Sequence, residues 1–552
     1  MWWIATDHPD LPAIVDSPSG ITLTFGELAG RAHQLVHALR ARGIGPGAIV
    51  AYVLPNDADV VWWQLAMQEA GIHAVALNPA LSRDEIGSVL EHAGAVGLVV
   101  GHQYASHVAG LTGPALPGLR VVVGGDLAGY ERYEDLVAGF GRAEPADRRF
   151  GGPISYSSGT TGKPKAISRY GWGGDPSVIA DQMKLFSRAF QFEPLTGVHL
   201  VSAGMHHGGC QSFYHGALNV GQAVAIMGRF DAERTLEMIS RHRVTTAYMV
   251  PTQFVRLLRL PPPVKAAYDV SSLQVVVHSA APCPVEVKRQ MMDWWGPVIW
   301  ETYGGMEGAA TIAKPYRWLQ KPGTVGRAVR GMTVRVLDDG GREVPVGELG
   351  IVYLEPDRPT FQYRNDPDLT ASVHHGRAFT LGDVGFLDED GYLFLRDRVR
   401  DMIISGGVNI YPAEAEAVLT AHPAVGDVAV IGIPDAEWGE SVKAVVELAD
   451  GYQPGDELGE ELIAFCRRRL AGYKCPRSVD FMAQLPRTDG GKLFKRLLRD
   501  EYRRMADGGL APRMSAIASG LASRPARRAH ASRTTAPRGM PPRATERARG
   551  AD

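Results

Sequence analysis

At 552 residues the chain is too long for one hydrophobic core, so two or more domains are expected. Its 45% hydrophobic and 21% charged content is ordinary for a globular protein, and a net charge of −2 argues against a nucleic-acid-binding protein as a whole. Four cysteines without metal or disulfide spacing, no basic-then-apolar leader and no apolar run near the roughly 18 residues of a spanning helix predict a soluble cytoplasmic protein with no integral membrane segment.

In chain order, Thr24 and Glu27 form a capping-box pattern before Leu28, Leu35 and Leu39, which share one helical stripe, and Gly43 ends that helix. "AIVAYVLP" reads as a buried strand, "DADVVWWQLAMQEAG" as a helix and "IHAVALNP" as the next strand. That is a βαβ unit and implies a parallel sheet covered by helices. The pattern recurs at "AVGLVVG", "TTAYMVP" and "LQVVVHSAAP". Between Gly323 and Arg396, short strands broken by "DDGG" and "DEDG" predict a small β-rich subdomain. After Asp401, "NIYPAEAEAVLTAHP", "VGDVAVIGIP", "KAVVELA" and "ELIAFCRRRLAGY" form an α+β set. From Ala506 onward nine arginines face three acids, so the tail carries +6 and residues 1–505 carry −8. Rich in Ala, Pro, Ser and Gly, that tail is expected to be disordered, a solvated extension rather than a basic arm.

The segment "YSSGTTGKPKAI" looks like a phosphate cradle but is no Walker loop. Gly159 and Gly162 are only three apart, and Pro164 follows Lys163 where a magnesium-binding hydroxyl should stand. Four further segments accompany it in order: "ETYGGMEG" (301–308), "TLGDVGFLDEDGYLFLRDR" (380–398), "RDMIISGGVNIYPAEAE" (400–416) and "PRTDGGKLFKR" (486–496). Together the five resemble the adenylate-forming superfamily, which includes acyl-CoA synthetases, peptide-synthetase adenylation domains and firefly-type luciferases. The resemblance covers residues 10–503, everything but the tail.

The resemblance implies an α/β fold. A large N-terminal domain of βαβ-type sheets with a small β-rich subdomain would span 1–397, a hinge 398–401 and a small mobile α+β C-terminal domain 402–505, with the tail at 506–552. It also implies an AMP-forming acyl-CoA synthetase that uses ATP, Mg2+ and coenzyme A. A carrier protein loaded in trans is an alternative acceptor, and a non-catalytic adenylate-binding protein an alternative role. Such chemistry makes physical sense. A carboxylate carbon is a poor electrophile, and attack on the α-phosphate of ATP converts the acid into an acyl-adenylate with a good leaving group. In-line displacement at phosphorus is mainly positioning and electrostatic stabilisation.

Carried over residue by residue, Ser157, Ser158, Gly159, Thr160, Thr161 and Gly162 would wrap the β- and γ-phosphates, with Lys163 and Lys165 adding positive charge. Ala280, Ala281 and Pro282 would line the adenine site where relatives carry Gly-Ala or Gly-Gly before proline. Glu301, Thr302, Tyr303 and Gly304 would continue that site, with the Tyr303 ring against adenine and Glu307 on magnesium. Met306 replaces the family threonine, and a thioether cannot donate a hydrogen bond to the α-phosphate. Asp383 matches the ribose-binding aspartate, Arg398 a ribose and phosphate contact, Arg400 the hinge, and Lys492 the lysine that reaches the carboxylate and α-phosphate. Gly406 and Gly407 would line the pantetheine tunnel. His207 is the candidate acyl gate, with His206 structural. The acyl pocket would include Gly208, Tyr248, Gly304 and Gly305. Small residues there, with Gly209, Ala280 and Ala309, would leave room for a long, bulky or ring-bearing apolar acid, fatty or aryl.

Overall fold

A computed structural model of the chain describes residues 1–112, 116–157, 165–169, 173–487 and 493–506. The capping box forms as the sequence predicts: Glu27 N–H donates to Thr24 Oγ1 at 3.3 Å and Thr24 N–H to Glu27 Oε2 at 2.9 Å, opening the helix Phe25–Ala41. Gly43 follows that helix at φ +75°. The next strands, Ile49–Val53, His73–Ala76, Gly97–Gly101 and Leu119–Val123, pair in parallel in the order 73–76, 49–53, 97–101, 119–123.

A second and larger sheet carries a parallel half built from Pro12–Asp16, Ala223–Ile226, Val198–Val201, Thr246–Met249, Val275–His278 and Ile299–Gly305. The recurrent βαβ pattern thus belongs to two separate parallel sheets. The helix Ala58–Glu69 carries apolar residues on every side and is correspondingly buried, with Trp62 and Trp63 at 1% and 0% exposure. It lies in one core with residues of both sheets, among them Tyr52, Val99, Val201 and Val277.

At Ile299–Gly305 the large sheet changes character. Gly308–Ala313 returns antiparallel, and the strands Thr324–Ala328, Leu393–Arg398, Ala378–Leu387, Gly350–Pro356 and Met332–Leu337 continue outward antiparallel. The β-rich subdomain is therefore joined edge-on to the parallel half. Ligands of open α/β sheets bind outside the carboxyl ends of the parallel strands. Those ends here are residues 202–209, 250, 279–282 and 305–307.

Beyond Arg398 a smaller body forms around the long antiparallel pair Val425–Asp435 and Gly439–Leu448, covered by the helices Pro412–Thr420, Asp456–Arg467 and Lys495–Ala506. Its core holds Leu419, Val430, Val446, Leu462 and Cys466. The connection between the bodies is held at its backbone, since Arg499 Nη1 donates to the Arg400 carbonyl at 2.6 Å and Nη2 pairs with Asp401 at 2.7 Å. Arg259 reaches across to the carbonyls of Val425 and Gly426 at 2.9 and 2.6 Å. No helix among the described residues is long and apolar enough to cross a membrane.

Candidate active site

The strand Ile299–Gly305 brings Tyr303 to the point where the sheet changes from parallel to antiparallel, and the hairpin of Ala378–Leu387 with Leu393–Arg398 sets Asp383 opposite Arg398 in register. The Tyr303 hydroxyl donates to Asp383 Oδ2 at 2.6 Å, and Arg398 Nε stands 3.3 Å from Oδ1. Asp383 is only 6% exposed. Burial pushes its carboxyl above the ordinary value, and Arg398 and Tyr303 pull it back toward the charged form. The carboxylate is thereby fixed in orientation by a phenol and a guanidinium.

On the neighbouring strand end, Ala280 has φ +73°. A non-glycine residue in the left-handed region costs about 1–2 kcal/mol, which explains why a glycine suits this position and what the alanine here sacrifices. Glu301 and Thr302 have their side chains committed within the protein. Thr302 Oγ1 donates to the Thr311 carbonyl at 2.8 Å. Glu301 Oε2 is 2.8 Å from Lys288 Nζ and 3.4 Å from His278 Nε2. Burial alone would raise the Glu301 carboxyl, but Lys288 and His278 hold it down at about 2. Lys288 itself is fully buried and lies 4.7 Å from the centre of the Trp318 ring.

The loop after Gly305 gathers a second group. Tyr363 donates to Glu307 Oε1 at 2.9 Å, Arg169 Nε donates to the Met306 carbonyl at 3.1 Å, and Lys165 Nζ lies 5.5 Å from the centre of the Tyr363 ring. Glu307 is thus held by a phenol, with Arg169 bonded to the preceding carbonyl and Lys165 over the ring of that phenol. Arg169 and Tyr363 carry no sequence signal, because they come from strands that meet Glu307 only in the folded protein. Lys288 does carry one: it occupies the same stripe as Met291, Met292 and Trp295 in "VEVKRQMMDWW", a cation on an otherwise apolar face.

His207 is the N-cap residue of the helix Gly208–Asn219, with its ring 4.0 Å from that of His206. Burial, then the neighbouring His207, keeps His206 well below its ordinary pKa. Tyr248 lies at the end of Thr246–Met249 with its hydroxyl against Gly209. The expectation that small residues leave open room is corrected here. The space beside Gly208 is filled by the Met306 thioether, that beside Gly209 by the Tyr248 hydroxyl, that beside Gly305 by the Glu307 carboxylate, and that beside Gly304 by the backbone of Gly308 and Ala309. These glycines serve close packing against Met306, Tyr248, Glu307 and the backbone of Gly308 and Ala309.

Ser158, Gly159, Thr160, Thr161, Gly162, Lys163 and Lys492 lie outside the described residues, as does the tail from 507. Ser157 ends the strand Ser155–Ser157. Ala281 and Pro282 follow Ala280 in the connection to the helix Val285–Trp295. On the smaller body, Gly406 and Gly407 have φ +58° and +78°, values that favour glycine. The Trp438 ring covers Gly406, with Arg477 4.6 Å from the ring centre, while no heavy atom lies within 4 Å of a side chain built on Gly407. Ile404, Val408 and Trp438 are exposed around this turn. Trp438 and Arg477 were not apparent as neighbours from sequence.

Comparison with known proteins bears on the same residues. A family model described as AMP-binding enzyme matches residues 1–357, and one described as AMP-binding enzyme C-terminal domain matches 414–492. The chain is 35% identical to a feruloyl-CoA synthase of Amycolatopsis sp, over 88% of this chain and 94% of that one. It is 30% identical to the long-chain-fatty-acid–CoA ligase FadD13 of Mycobacterium tuberculosis, over 90% and 97%. Among solved structures, the anthranilate CoA ligase AuaEII in complex with anthranoyl-AMP superposes with a TM-score of 0.82 at 26% identity, covering 92% of this chain and 97% of that one.

Proposed function

The chain belongs to the AMP-binding enzymes, and on that premise we propose that it activates a carboxylic acid with ATP and passes the acyl group to coenzyme A. The acid and ATP give acyl-AMP and pyrophosphate; the thiol of coenzyme A then gives the acyl thioester and AMP. The observation that carries this reading is the buried Asp383 carboxylate, oriented by Tyr303 and Arg398 beside the carboxyl ends of the parallel strands. A buried, oriented acceptor suits the paired hydroxyls of a ribose, which donate two hydrogen bonds to one carboxylate. The two relatives above are named a feruloyl-CoA synthase and a long-chain-fatty-acid–CoA ligase, which supports an apolar acid here.

Magnesium fits the residues present. It is bound by one or two carboxylates together with phosphate oxygens, and Glu307 is a single carboxylate held by Tyr363. Among the described residues no cluster of three or more metal-ligating side chains competes for that role. Bound at Glu307, the ion would neutralise charge on the triphosphate. Lys165 and Arg169 add fixed positive charge on the same side. The exposed turn at Gly406 and Gly407, with Trp438 and Arg477 beside it, offers the flat and cationic surface that a nucleotide-bearing thiol needs.

A panel of aryl and fatty acids, assayed for pyrophosphate release and for AMP release with and without coenzyme A, tests the proposal. Pyrophosphate release without any acid, or none with every acid, would overturn it. Gly407→Leu is expected to block the thioester step while acyl-AMP still accumulates, and single-turnover yields of the two products check this. Because the positive φ at 407 strains any side chain by about 1–2 kcal/mol, Tm must show the variant folded. Normal CoA turnover would remove the tunnel role of this turn.

Met306 lies against Gly208, and on this reading its thioether would meet the acyl group. Met306→Thr is accordingly expected to raise KM for the best acid about tenfold, the effect of a lost apolar contact, and to broaden acid choice with little change in kcat. A rise in kcat with KM unchanged would instead mean that residue 306 faces the reacting phosphate, where threonine restores a donor.

A further inference from the structure

We propose that Arg259 is a positioning residue for acid adenylation. It fastens the smaller body in the orientation that holds the root of "PRTDGGKLFKR" against the larger body, and it must let go before the Gly406–Gly407 turn can serve the thioester step. This role rests on the two-step reading above and deepens it.

Arg259 closes the helix Pro251–Leu258, which begins beside Val250 at the carboxyl end of the strand Thr246–Met249. The eight residues of that helix carry Arg259 roughly 12 Å from the strand ends, too far to meet the reacting groups. Its Nη2 donates instead to the carbonyls of Val425 and Gly426, at 2.9 and 2.6 Å. These carbonyls stand at a bulge. Val425 pairs with Leu448 and Asp427 with Glu447, so Gly426 is the extra residue with no partner opposite. A Cβ at 426 would stand 2.7 and 2.9 Å from the carbonyl oxygens of Leu448 and Glu447, so the bulge requires glycine. One guanidinium nitrogen of the larger body thus takes up the backbone that the bulge exposes.

The same bulge carries the segment that bears Lys492. Asp427 pairs with Arg487 Nη2 at 2.8 Å, and Glu447, opposite Asp427, accepts from the Leu485 N–H at 2.9 Å. Arg487 bridges to Leu493, which Lys492 adjoins in the chain. Arg256, three residues before Arg259 on the same face of the helix, acts on Glu447 as well. Burial raises the Glu447 carboxyl, and the Leu485 amide, Arg256 and Arg487 draw it back toward the charged form. The proposed thiol turn is placed differently. Nothing stands within 4 Å of a side chain built on Gly407, and Ile404 and Val408 beside it are exposed. In this orientation the root of the lysine segment is docked and the thiol turn is free, which is the arrangement adenylation needs. Bringing the turn to the larger body displaces the bulge from Arg259. Two hydrogen bonds from an exposed guanidinium to backbone carbonyls suit a contact that must form and break, since water can replace them.

The test separates the two steps in Arg259→Ala and Arg259→Lys, with Tm showing that each variant is folded. For the best acid of the panel, single-turnover pyrophosphate release should slow about tenfold in Arg259→Ala, because the docked orientation becomes a minor population. Thioester formation from synthetic acyl-AMP and coenzyme A should be unchanged or faster. Arg259→Lys, which keeps a cationic donor, should recover part of the first step. Equal losses in both steps, or pyrophosphate release at the wild-type rate in Arg259→Ala, would overturn the assignment. Hydrogen exchange without substrate gives a second measurement. Residues 255–260 and 423–428 should exchange faster in Arg259→Ala than in the wild type, and unchanged exchange would overturn the contact even if no acid of the panel is turned over. Failure of the wild type to release pyrophosphate with any acid would instead overturn the acid-activating reading itself.

Discussion

Replacing Lys492 with alanine is expected to slow acyl-adenylate formation by about 10²–10³, the usual cost of removing one group that stabilises charge in a transition state. Conversion of supplied acyl-AMP to acyl-CoA should remain largely intact. The reason is that "PRTDGGKLFKR" resembles the segment in which a lysine reaches both the carboxylate and the α-phosphate, and that lysine is carried by the smaller body, which is proposed to turn between the two half-reactions. The described residues on either side are themselves held in place. Arg487 is paired with Asp427, Nη2 to Oδ1 at 2.8 Å, and it forms an isolated antiparallel bridge with Leu493. Because Arg487 and Leu493 are retained in the variant, loss of the charge can be separated from loss of the local fold. Pyrophosphate release with acid and ATP measures the first step, and thioester formation from synthetic acyl-AMP measures the second. Equal losses in both would contradict the division of labour between two orientations of the smaller body.

The second large effect concerns stability. Lys288→Met is expected to destabilise the larger body by about 3–5 kcal/mol, because it leaves the Glu301 carboxylate buried with its principal counter-charge removed. Glu301 is 8% exposed and Lys288 is fully buried, so solvent cannot take over the missing role. The pH dependence follows from the carboxyl. Its folded-state pKa of about 2 lies below the ordinary value, so the stabilisation is complete above about pH 4.3 and is lost as pH falls toward 2. The double variant Lys288→Met/Glu301→Gln should recover part of the loss, since a neutral amide costs less to bury than an unpaired charge. Urea unfolding at pH 7 checks both variants. A loss under about 1 kcal/mol in the single variant would mean that water or rearrangement reaches Glu301, and the pair would then be no anchor for the strand that carries Tyr303.

Much of this protein is local in sequence. The capping box at Thr24 and Glu27, the buried strand and helix around Trp62 and Trp63, and the change to short strands after Gly323 depend on residues a few positions apart, which periodicity and cap chemistry report directly. The five ordered segments likewise made family membership legible before any coordinates, because loops that bind phosphate and ribose need particular residue types at short fixed spacing.

The tertiary structure alone decided which residues meet. Asp383 and Tyr303 are 80 residues apart, Glu307 and Tyr363 are 56 apart, and the Met306 thioether packs on Gly208 from a different strand end. No period within one element encodes such a pairing, since it depends on strand order and register across the sheet. The glycines mark the boundary most clearly. In the sequence Gly208 and Gly209 read as empty space, yet in the fold each is filled by a distant side chain, because protein interiors pack to uniform density and a missing side chain is compensated by whichever neighbour the topology supplies. Residue type is written along the chain, but the volume and polarity a substrate encounters belong to the neighbours, and only folding chooses those.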